Sequence, residues 1–205
     1  MTRLIAAVMV SLDGVIQAPG GPDEDTSGGF AHGGWVWPFA DGDAAMDGLF
    51  AQPFSLLLGR RTYDIFAGYW PQVPSDAPHG DIADAFNGAA KYVATHHPDT
   101  LAWQRSHALG ADVVSAVRAL KHRDGPVLIT QGSSDLLHQL LATDLVDELR
   151  LLTYPVLLGR GKRLFDAGAL PSAFRLDATR STPAGVVVSR YLRDGDVRTG
   201  TFADH

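Results

Sequence analysis

Residues Leu56-Leu57-Leu58-Gly59-Arg60-Arg61-Thr62-Tyr63 join an apolar run to a polar one across a single glycine. A short apolar run that stops at glycine is typical of a strand buried on both faces of a parallel sheet. Gly59 permits a tight turn, and Thr62 offers a hydroxyl where a helix would begin. The stretch therefore predicts a strand, a turn and a helix, which is the repeating unit of an α/β fold.

The same pattern recurs along the chain. Apolar runs predict strands over residues 4–10, 54–58, 92–95, 126–130, 149–156 and 186–192. Helices are predicted over residues 41–51, 61–67, 81–89, 116–122 and 134–142. The last two strands have no helix between them, so they are expected to pair antiparallel in an otherwise parallel sheet. No linker or repeat divides the chain, which predicts one domain over residues 1–205.

Composition narrows the classes of function. The net charge of −6 argues against nucleic acid or an anionic membrane as the main partner, since both need a basic face. The chain has no cysteine, which excludes disulfides, thiolate nucleophiles and cysteine-bound zinc. The histidines lack ligand-like spacing, so no metal site is expected. The apolar start is too short for a signal peptide or a membrane span, and the expected location is cytoplasmic.

Residues 13–40 form a long segment rich in glycine and proline that carries Trp35 and Trp37. A loop of this length inside a compact domain is usually functional. We therefore expect it to line an active site, and we expect residues 195–205 to form a short tail.

Three predicted strands end in residues suited to an anion. The residues at these three strand ends are Gly59-Arg60-Arg61-Thr62, Thr95-His96-His97 and Gln131-Gly132-Ser133-Ser134. Ligands of open α/β sheets bind at the carboxyl ends of the strands, where helix N-termini present unpaired N–H groups. Each junction alone also fits a turn with solvated arginines, surface histidines or ordinary helix capping. No G-x-G-x-x-G, P-loop or G-x-S-x-G pattern is present.

Taken in order, these motifs resemble the dihydrofolate-reductase-like superfamily. Within it, the chain is most similar to the reductase domain at the C-terminus of the bifunctional riboflavin-biosynthesis deaminase/reductase. The resemblance covers roughly residues 3–193 and rests on six motifs: Ser11-Leu12-Asp13-Gly14-Val15-Ile16, Leu58-Gly59-Arg60-Arg61-Thr62-Tyr63, Tyr69-Trp70-Pro71, Gln131-Gly132-Ser133, Asp147-Glu148-Leu149 and the run over residues 155–162. A cysteine-free chain cannot hold the zinc site of the partner deaminase.

The resemblance implies a three-layer fold that binds NADPH. By this resemblance, the cofactor phosphates would contact Gly59, Arg60, Arg61, Thr62, Gly132, Ser133 and Ser134. Thr95 and His96 would lie at the 2′-phosphate, and Val10, Ser11 and Ile16 at the nicotinamide. Candidate proton donors are Asp43 and Asp13, with a helix cap and a turn as their alternative roles. Trp37 and Trp70 could stack on a flat substrate, and core packing is the alternative for Trp70.

The implied function is reduction of a pyrimidine- or pterin-like heterocycle, as in 5-amino-6-(5-phosphoribosylamino)uracil reductase. The alternatives are an NADPH-binding or sensor module without turnover, and a dihydrofolate-type pterin reductase. No Lys or Arg lies between Arg61 and Lys91, which disfavours a folate tail. Arg160, Lys162 and Arg163 are the candidate cations for a substrate phosphate. The apolar run over 149–158 predicts a homodimer interface, and a purely structural role is a third alternative.

Overall fold

The computed structural model describes residues 1–40, 48–166 and 168–201 of the 205-residue chain. Its strands are β1 (Leu4–Ser11), β2 (Phe54–Gly59), β3 (Lys91–Ala94), β4 (Ser106–Ala108), β5 (Val127–Gln131), β6 (Glu148–Tyr154), β7 (Phe174–Ser181) and β8 (Val187–Arg193). Its α-helices are α1 (Arg60–Tyr69), α2 (Gly80–Gly88), α3 (Val113–Lys121) and α4 (Ser134–Leu141). Within these ranges, no helix is long and apolar enough to cross a membrane.

The strands form a mixed sheet in the order β4-β3-β2-β5-β1-β6-β8-β7. The pairs from β4 to β6 are parallel, whereas β8 is antiparallel to both β6 and β7. The predicted α/β fold, mostly parallel with antiparallel late strands, is confirmed. Because the six parallel strands share one direction, β1, β2, β3 and β5 all end at the same edge of the sheet.

The side chains of β2 point alternately to the two faces of the sheet, and each face is covered by helices. Leu57 points into a cluster that contains Val117 of α3 and Leu137 of α4. Leu56 and Leu58 point the other way, into a cluster with side chains from α1 and α2. Successive strand residues face opposite sides of a sheet, so helices cover both faces. The continuous apolar runs of the sequence follow from this double burial.

Two strands escaped the sequence prediction. β4 has three residues, too few for a periodic pattern. β7 lies at the open edge of the sheet, where Arg175 and Asp177 interrupt its apolar positions and a bulge falls between Leu176 and Ala178. An edge strand with an exposed face lacks the apolar run that marks a buried strand.

The helix predicted over 41–51 is wrong at its C-terminal end. Gly48 has a φ of +72°, and the chain from Gly48 to Ala51 forms turns and bends. Leu49 is buried against Ile5 and Ile129, so its apolar side chain anchors this turn to the core. Residues 41–47, which include Asp43, lie outside the described part of the chain.

The apolar run over 149–158 has an explanation within the chain. β6 lies inside the sheet between β1 and β8, and Leu149 and Leu152 are almost completely buried. Among the leucines of the run, only Leu157, which follows the strand, is largely exposed. Intramolecular packing therefore accounts for most of the run, and the homodimer stays a prediction.

Candidate functional site

The turns after β2 and β5 are joined through one serine. The backbone N–H of Gly59 donates to Ser133 Oγ at 3.0 Å, and the hydroxyls of Thr62 and Ser133 lie 2.6 Å apart. β2 and β5 are neighbours in the sheet, which places the two turns side by side. The structure thus brings together the first and third of the predicted strand ends.

This pair of turns forms a cradle that requires small residues. A Cβ on Gly59 would lie 2.8 Å from Ser133 Oγ, a distance that real Cβ atoms do not tolerate. Gly132 and Ser133 both have a φ of +61°, which carries the chain sharply from β5 into α4. The Ncap residues of α1 and α4, Gly59 and Ser133, provide no side-chain cap. Two helix N-termini therefore present backbone N–H groups at one edge, as anion binding requires.

Arg60 connects this cradle to the loop after β3. Its Nε lies 2.9 Å from Asp64 in the next turn of α1, and its Nη1 donates to Thr95 Oγ1 at 3.3 Å. Nη1 also contacts the carbonyl oxygen of His97 at 3.3 Å and Thr100 Oγ1 at 2.5 Å. Arg60 thus brings the second predicted strand end to the first. The hydrogen bond with Asp64 raises the pKa of Arg60 above its usual value.

Thr95 and His96 differ in their surroundings. The Thr95 side chain is buried, and its Oγ1 accepts from the His97 backbone N–H at 3.0 Å as well as from Arg60. His96 is exposed. Thr95 therefore shapes this loop, while the His96 imidazole is open to a ligand.

Arg61 points to a different partner, the long loop over residues 13–40. Its guanidinium forms an ion pair with Asp25, whose other oxygen lies 3.0 Å from Lys162 Nζ. Partial burial opposes ionisation of Asp25, but hydrogen bonds from Ser27, Lys162 and Arg61 outweigh it and hold its pKa well below the usual range. Asp25 is therefore ionised at neutral pH and links α1, the loop and the segment after β6.

Gln17 fixes the loop around Asp25. Its Nε2 donates to the carbonyl oxygens of Asp25 and Ser27, each at 3.0 Å, and its Oε1 accepts from the Lys162 N–H at 3.0 Å. The Trp35 indole N–H donates to the Gln17 carbonyl oxygen at 2.8 Å. Gln17 is itself buried, so these bonds form with little competition from water. Hydrogen bonds around the buried Gln17 side chain therefore hold this loop in place beside the site.

Asp13 lies at the end of β1 and accepts three hydrogen bonds. Ser11 Oγ donates to it at 2.6 Å, and the backbone N–H groups of Leu158 and Gly159 donate at 3.1 and 2.8 Å. The bond from Ser11 is the main reason that its pKa falls to about 2. A carboxyl group with this pKa carries no proton to donate at neutral pH. The contacts therefore support the turn role of Asp13 and argue against its role as proton donor.

The predicted nicotinamide contacts are mostly enclosed. Val10, Ser11 and Ile16 are all buried, and Val10 and Ile16 belong to the main core. The backbone N–H of Ile16 donates to the Lys162 carbonyl oxygen at 2.8 Å. The end of β1 is consequently bound to the segment that carries Lys162, one of the cations that the sequence analysis named as candidates for a substrate phosphate.

The two predicted stacking residues have different positions. Trp37 is 81% exposed and lies two residues before Phe39, which contacts the ring of Tyr154. Trp70 makes edge contacts with Phe66 and Phe86 in the layer of α1 and α2. Trp70 therefore follows its core-packing alternative, and Trp37 keeps a free ring surface.

Comparison with known proteins identifies the family. A family model described as the RibD C-terminal domain matches residues 2–188. The chain belongs to the RibD C-terminal domain family. A curated relative, the uncharacterized protein YyaP of Bacillus subtilis (strain 168), is 25% identical over 193 residues, which cover 94% of this chain and 96% of YyaP.

Solved structures support the fold of this RibD C-terminal domain. A putative riboflavin biosynthesis protein from Shewanella sp. PV-4 aligns with a TM-score of 0.68 at 18% identity, covering 94% of this chain and 99% of the other. Dihydrofolate reductase from Enterococcus faecalis, solved with NADP(H), aligns with a TM-score of 0.55 at 16% identity, covering 94% and 96%. The superfamily resemblance is confirmed, and the domain is reductase-like with the fold of dihydrofolate reductase.

Sequence reasoning about this RibD C-terminal domain missed Asp25 and Gln17. Asp25 lies in an acidic Asp-Glu-Asp run of the loop, where nothing local identifies its partners. Gln17 interrupts the run Val15-Ile16-Gln17-Ala18, and a lone amide among apolar residues was a signal of a buried polar centre.

Proposed function

We propose that this chain is an NADPH-dependent reductase that transfers a hydride to a small pyrimidine- or pterin-like heterocycle. The observation that carries the proposal is the cradle of Gly59, Thr62 and Ser133, where two uncapped helix N-termini meet. Its backbone N–H groups and hydroxyls suit a pyrophosphate, and the close approach at Gly59 leaves room for no side chain. The shared fold with an NADP(H)-binding dihydrofolate reductase supports the same cofactor.

Arg60 and Arg61 would add charge to this cradle and favour NADPH over NADH. Arg61 is 57% exposed and lies two residues after Gly59, so its guanidinium can take a phosphate oxygen. Arg60, with Thr95 and the exposed His96, lies where the 2′-phosphate is expected. A 2′-phosphate rewards such donors, whereas a bare ribose is usually held by an acid.

The chemistry divides between cofactor and protein. NADPH would supply the hydride, and the protein has to align the rings, exclude water and deliver a proton. The enclosed end of β1, with Ser11 and Ile16 held by backbone bonds, provides a rigid wall for alignment. Because Asp13 is ionised, the role of proton donor falls to Asp43, which lies outside the described residues.

Tryptophan fluorescence and nicotinamide absorbance test the proposal together. NADPH should quench the fluorescence, and a pyrimidine or pterin should then cause loss of the reduced nicotinamide band. Asp43→Asn should lower turnover and leave NADPH affinity unchanged. Unchanged turnover in that variant would remove Asp43 from the mechanism, and no binding of NADPH would reject the function itself.

A second candidate is an NADPH-binding module without turnover. The complete engagement of Asp13 favours it, since the candidate acid at the end of β1 has no proton to give. The same titration separates the two functions. Binding of NADPH without oxidation across pyrimidine, pterin and flavin substrates would select the module.

A further inference from the structure

Two cations from distant parts of the chain share one carboxylate of the long loop. The Arg61 guanidinium contacts one oxygen of Asp25, and Lys162 Nζ lies 3.0 Å from the other. The Asp25 side chain is only 11% exposed, whereas those of Arg61 and Lys162 are 57% and 35% exposed. Two positive charges against one negative charge leave the group net positive, and the cations are the part of it that faces solvent.

The segment that carries Lys162 is fixed against the loop. The Lys162 N–H donates to Gln17 Oε1 at 3.0 Å, and the Lys162 carbonyl oxygen accepts from the Ile16 N–H at 2.8 Å. Gly161 has a φ of +131°, and a Cβ at this position would lie 2.6 Å from Val15 Cγ1. The Lys162 side chain therefore projects from a well-anchored backbone, so little freedom is lost when its ammonium group binds a ligand.

Both cations keep hydrogen-bond donors beyond those used by Asp25. A guanidinium carries five N–H groups and an ammonium three, and a carboxylate oxygen takes few of them. In the described part of the chain, no other carboxylate is in ion-pair contact with Arg61 or Lys162. The adjacent acid, Glu24, accepts from the backbone N–H of Gly20 at 2.6 Å instead. The spare donors of the two cations are therefore available to an anion.

This cation pair adjoins the cradle. Arg61 lies two residues after Gly59, and the next residue, Thr62, contacts Ser133. The oxygens of a phosphoryl group suit the fork of an arginine, and a lysine adds a compact charge beside it. Asp25 thus brings to the phosphate-binding edge a lysine that is 101 positions away from Arg61 in the chain.

We propose that Arg61 and Lys162, held side by side by Asp25, form a subsite for one phosphoryl group. Lys162 is then a ligand-binding residue, and Asp25 is a positioning residue that acts through the two cations. The inference deepens the proposed reductase function and rests on it for the choice of ligands. The pyrophosphate of NADPH and the phosphate of a phosphorylated substrate present the same oxygen chemistry, so the experiment has to separate these two sources.

Lys162→Gln tests the subsite, because the amide can still bond to Asp25 but carries no charge. NADPH affinity is measured by fluorescence titration, and ribose 5-phosphate affinity by calorimetry at saturating NADPH. The variant should bind one of these two ligands about 10-fold more weakly. A loss for NADPH identifies the cofactor as the source of the phosphoryl group, and a loss confined to ribose 5-phosphate identifies the substrate. Unchanged affinity for both overturns the inference.

Two further variants separate charge from loop structure. Lys162→Arg keeps the charge and should keep the affinity of wild type. Lys121→Gln is the matched control, since Lys121 pairs with Asp147 and not with the loop, and should leave both affinities unchanged. An affinity loss in Lys121→Gln as large as that in Lys162→Gln would overturn the inference.

Salt provides a readout that a merely structural role of Lys162 would not move. The affinity ratio between wild type and Lys162→Gln should shrink as KCl is raised, because salt screens the attraction between an exposed cation and a phosphoryl group. A ratio that stays constant from low to high salt would mean that Lys162 acts through the loop and not through its charge.

The two proposals fail differently. If the wild-type protein binds no NADPH, the reductase function falls, and the subsite is judged by ribose 5-phosphate without cofactor: binding that weakens in Lys162→Gln supports it, and no binding overturns it. If the protein binds NADPH and reduces a heterocycle while Lys162→Gln binds both ligands as tightly as wild type, the reductase function stands and only the subsite is lost.

Discussion

The two edges of the parallel sheet use charge in opposite ways. At the amino edge, Lys91 and Glu148 begin β3 and β6 and are almost completely buried. At the carboxyl edge, Arg60 and Arg61 are partly exposed beside uncapped helix ends. Charges enclosed by their partners have no donor left for a ligand, whereas charges with spare donors can bind one. The charged groups that are available to a ligand thus lie at the carboxyl edge of the sheet.

Glu148 and Lys91 show how charges at the amino edge are enclosed. Its carboxylate lies 2.6 Å from Arg150, 3.3 Å from Arg3 and 4.0 Å from Arg190. Lys91 has no carboxylate and instead donates to the carbonyl oxygens of Asn87 and Gln104, with its Nζ 4.1 Å from the centre of the Trp103 ring.

The largest expected effect comes from Glu148→Ala. Removing this carboxylate leaves three arginines around a buried site, which should lower the free energy of unfolding by about 3–5 kcal/mol in urea denaturation. Glu24→Ala, at the chain's other glutamate, should cost about 1 kcal/mol. The proposed difference between the two edges would be wrong if Glu148→Ala were as stable as the wild type but bound NADPH more weakly.

Lys91 should make stability depend on pH. Burial lowers its pKa in the folded protein from 10.5 to about 8, so the unfolded chain binds more protons between these values. Stability conferred by this position should therefore rise as the pH increases from 8 to 10.5, by about 3 kcal/mol. Denaturation of wild type and Lys91→Met across this range measures the difference. Parallel pH profiles for the two proteins would contradict the prediction.

At the carboxyl edge, replacing both Arg60 and Arg61 with Ala should change binding more than folding. NADPH affinity should fall about 100-fold, or about 2.7 kcal/mol, and NADH affinity should fall much less, because NADH lacks the 2′-phosphate. Fluorescence titration with both cofactors provides the comparison. Equal losses would show that the arginines do not recognise the 2′-phosphate.

Ser133→Ala should have the smallest effect. It removes the acceptor of the Gly59 N–H and the partner of the Thr62 hydroxyl, but it leaves both helix N-termini in place. NADPH affinity should fall about 10-fold, or about 1.4 kcal/mol. Ser172→Ala, whose hydroxyl bonds to Leu170 away from these turns, is the control and should leave affinity unchanged. The cradle would lose its importance if the two variants bound NADPH equally.

The sequence predicted most of the sheet because the core strands are buried on both faces. The run at Leu56–Leu58 is apolar throughout for this reason, and its end at Gly59 marks the turn. The exposed edge strand β7 and the three-residue β4 carry no such pattern and were missed. The sequence also predicted that Gly59-Arg60-Arg61-Thr62 and Gly132-Ser133-Ser134 would meet, because parallel strands end at one edge.

By itself, then, the sequence determined the fold class and the backbone turns that suit a phosphate. Only the tertiary structure decided what each charged side chain contacts. Asp25 meets Lys162 across 137 residues, and Asp13 meets Gly159 across 146. The local sequence pattern indicates burial and turn geometry, because both depend on neighbouring residues. Ion pairs between distant loops depend on where the whole sheet brings those loops, and no local pattern contains that information.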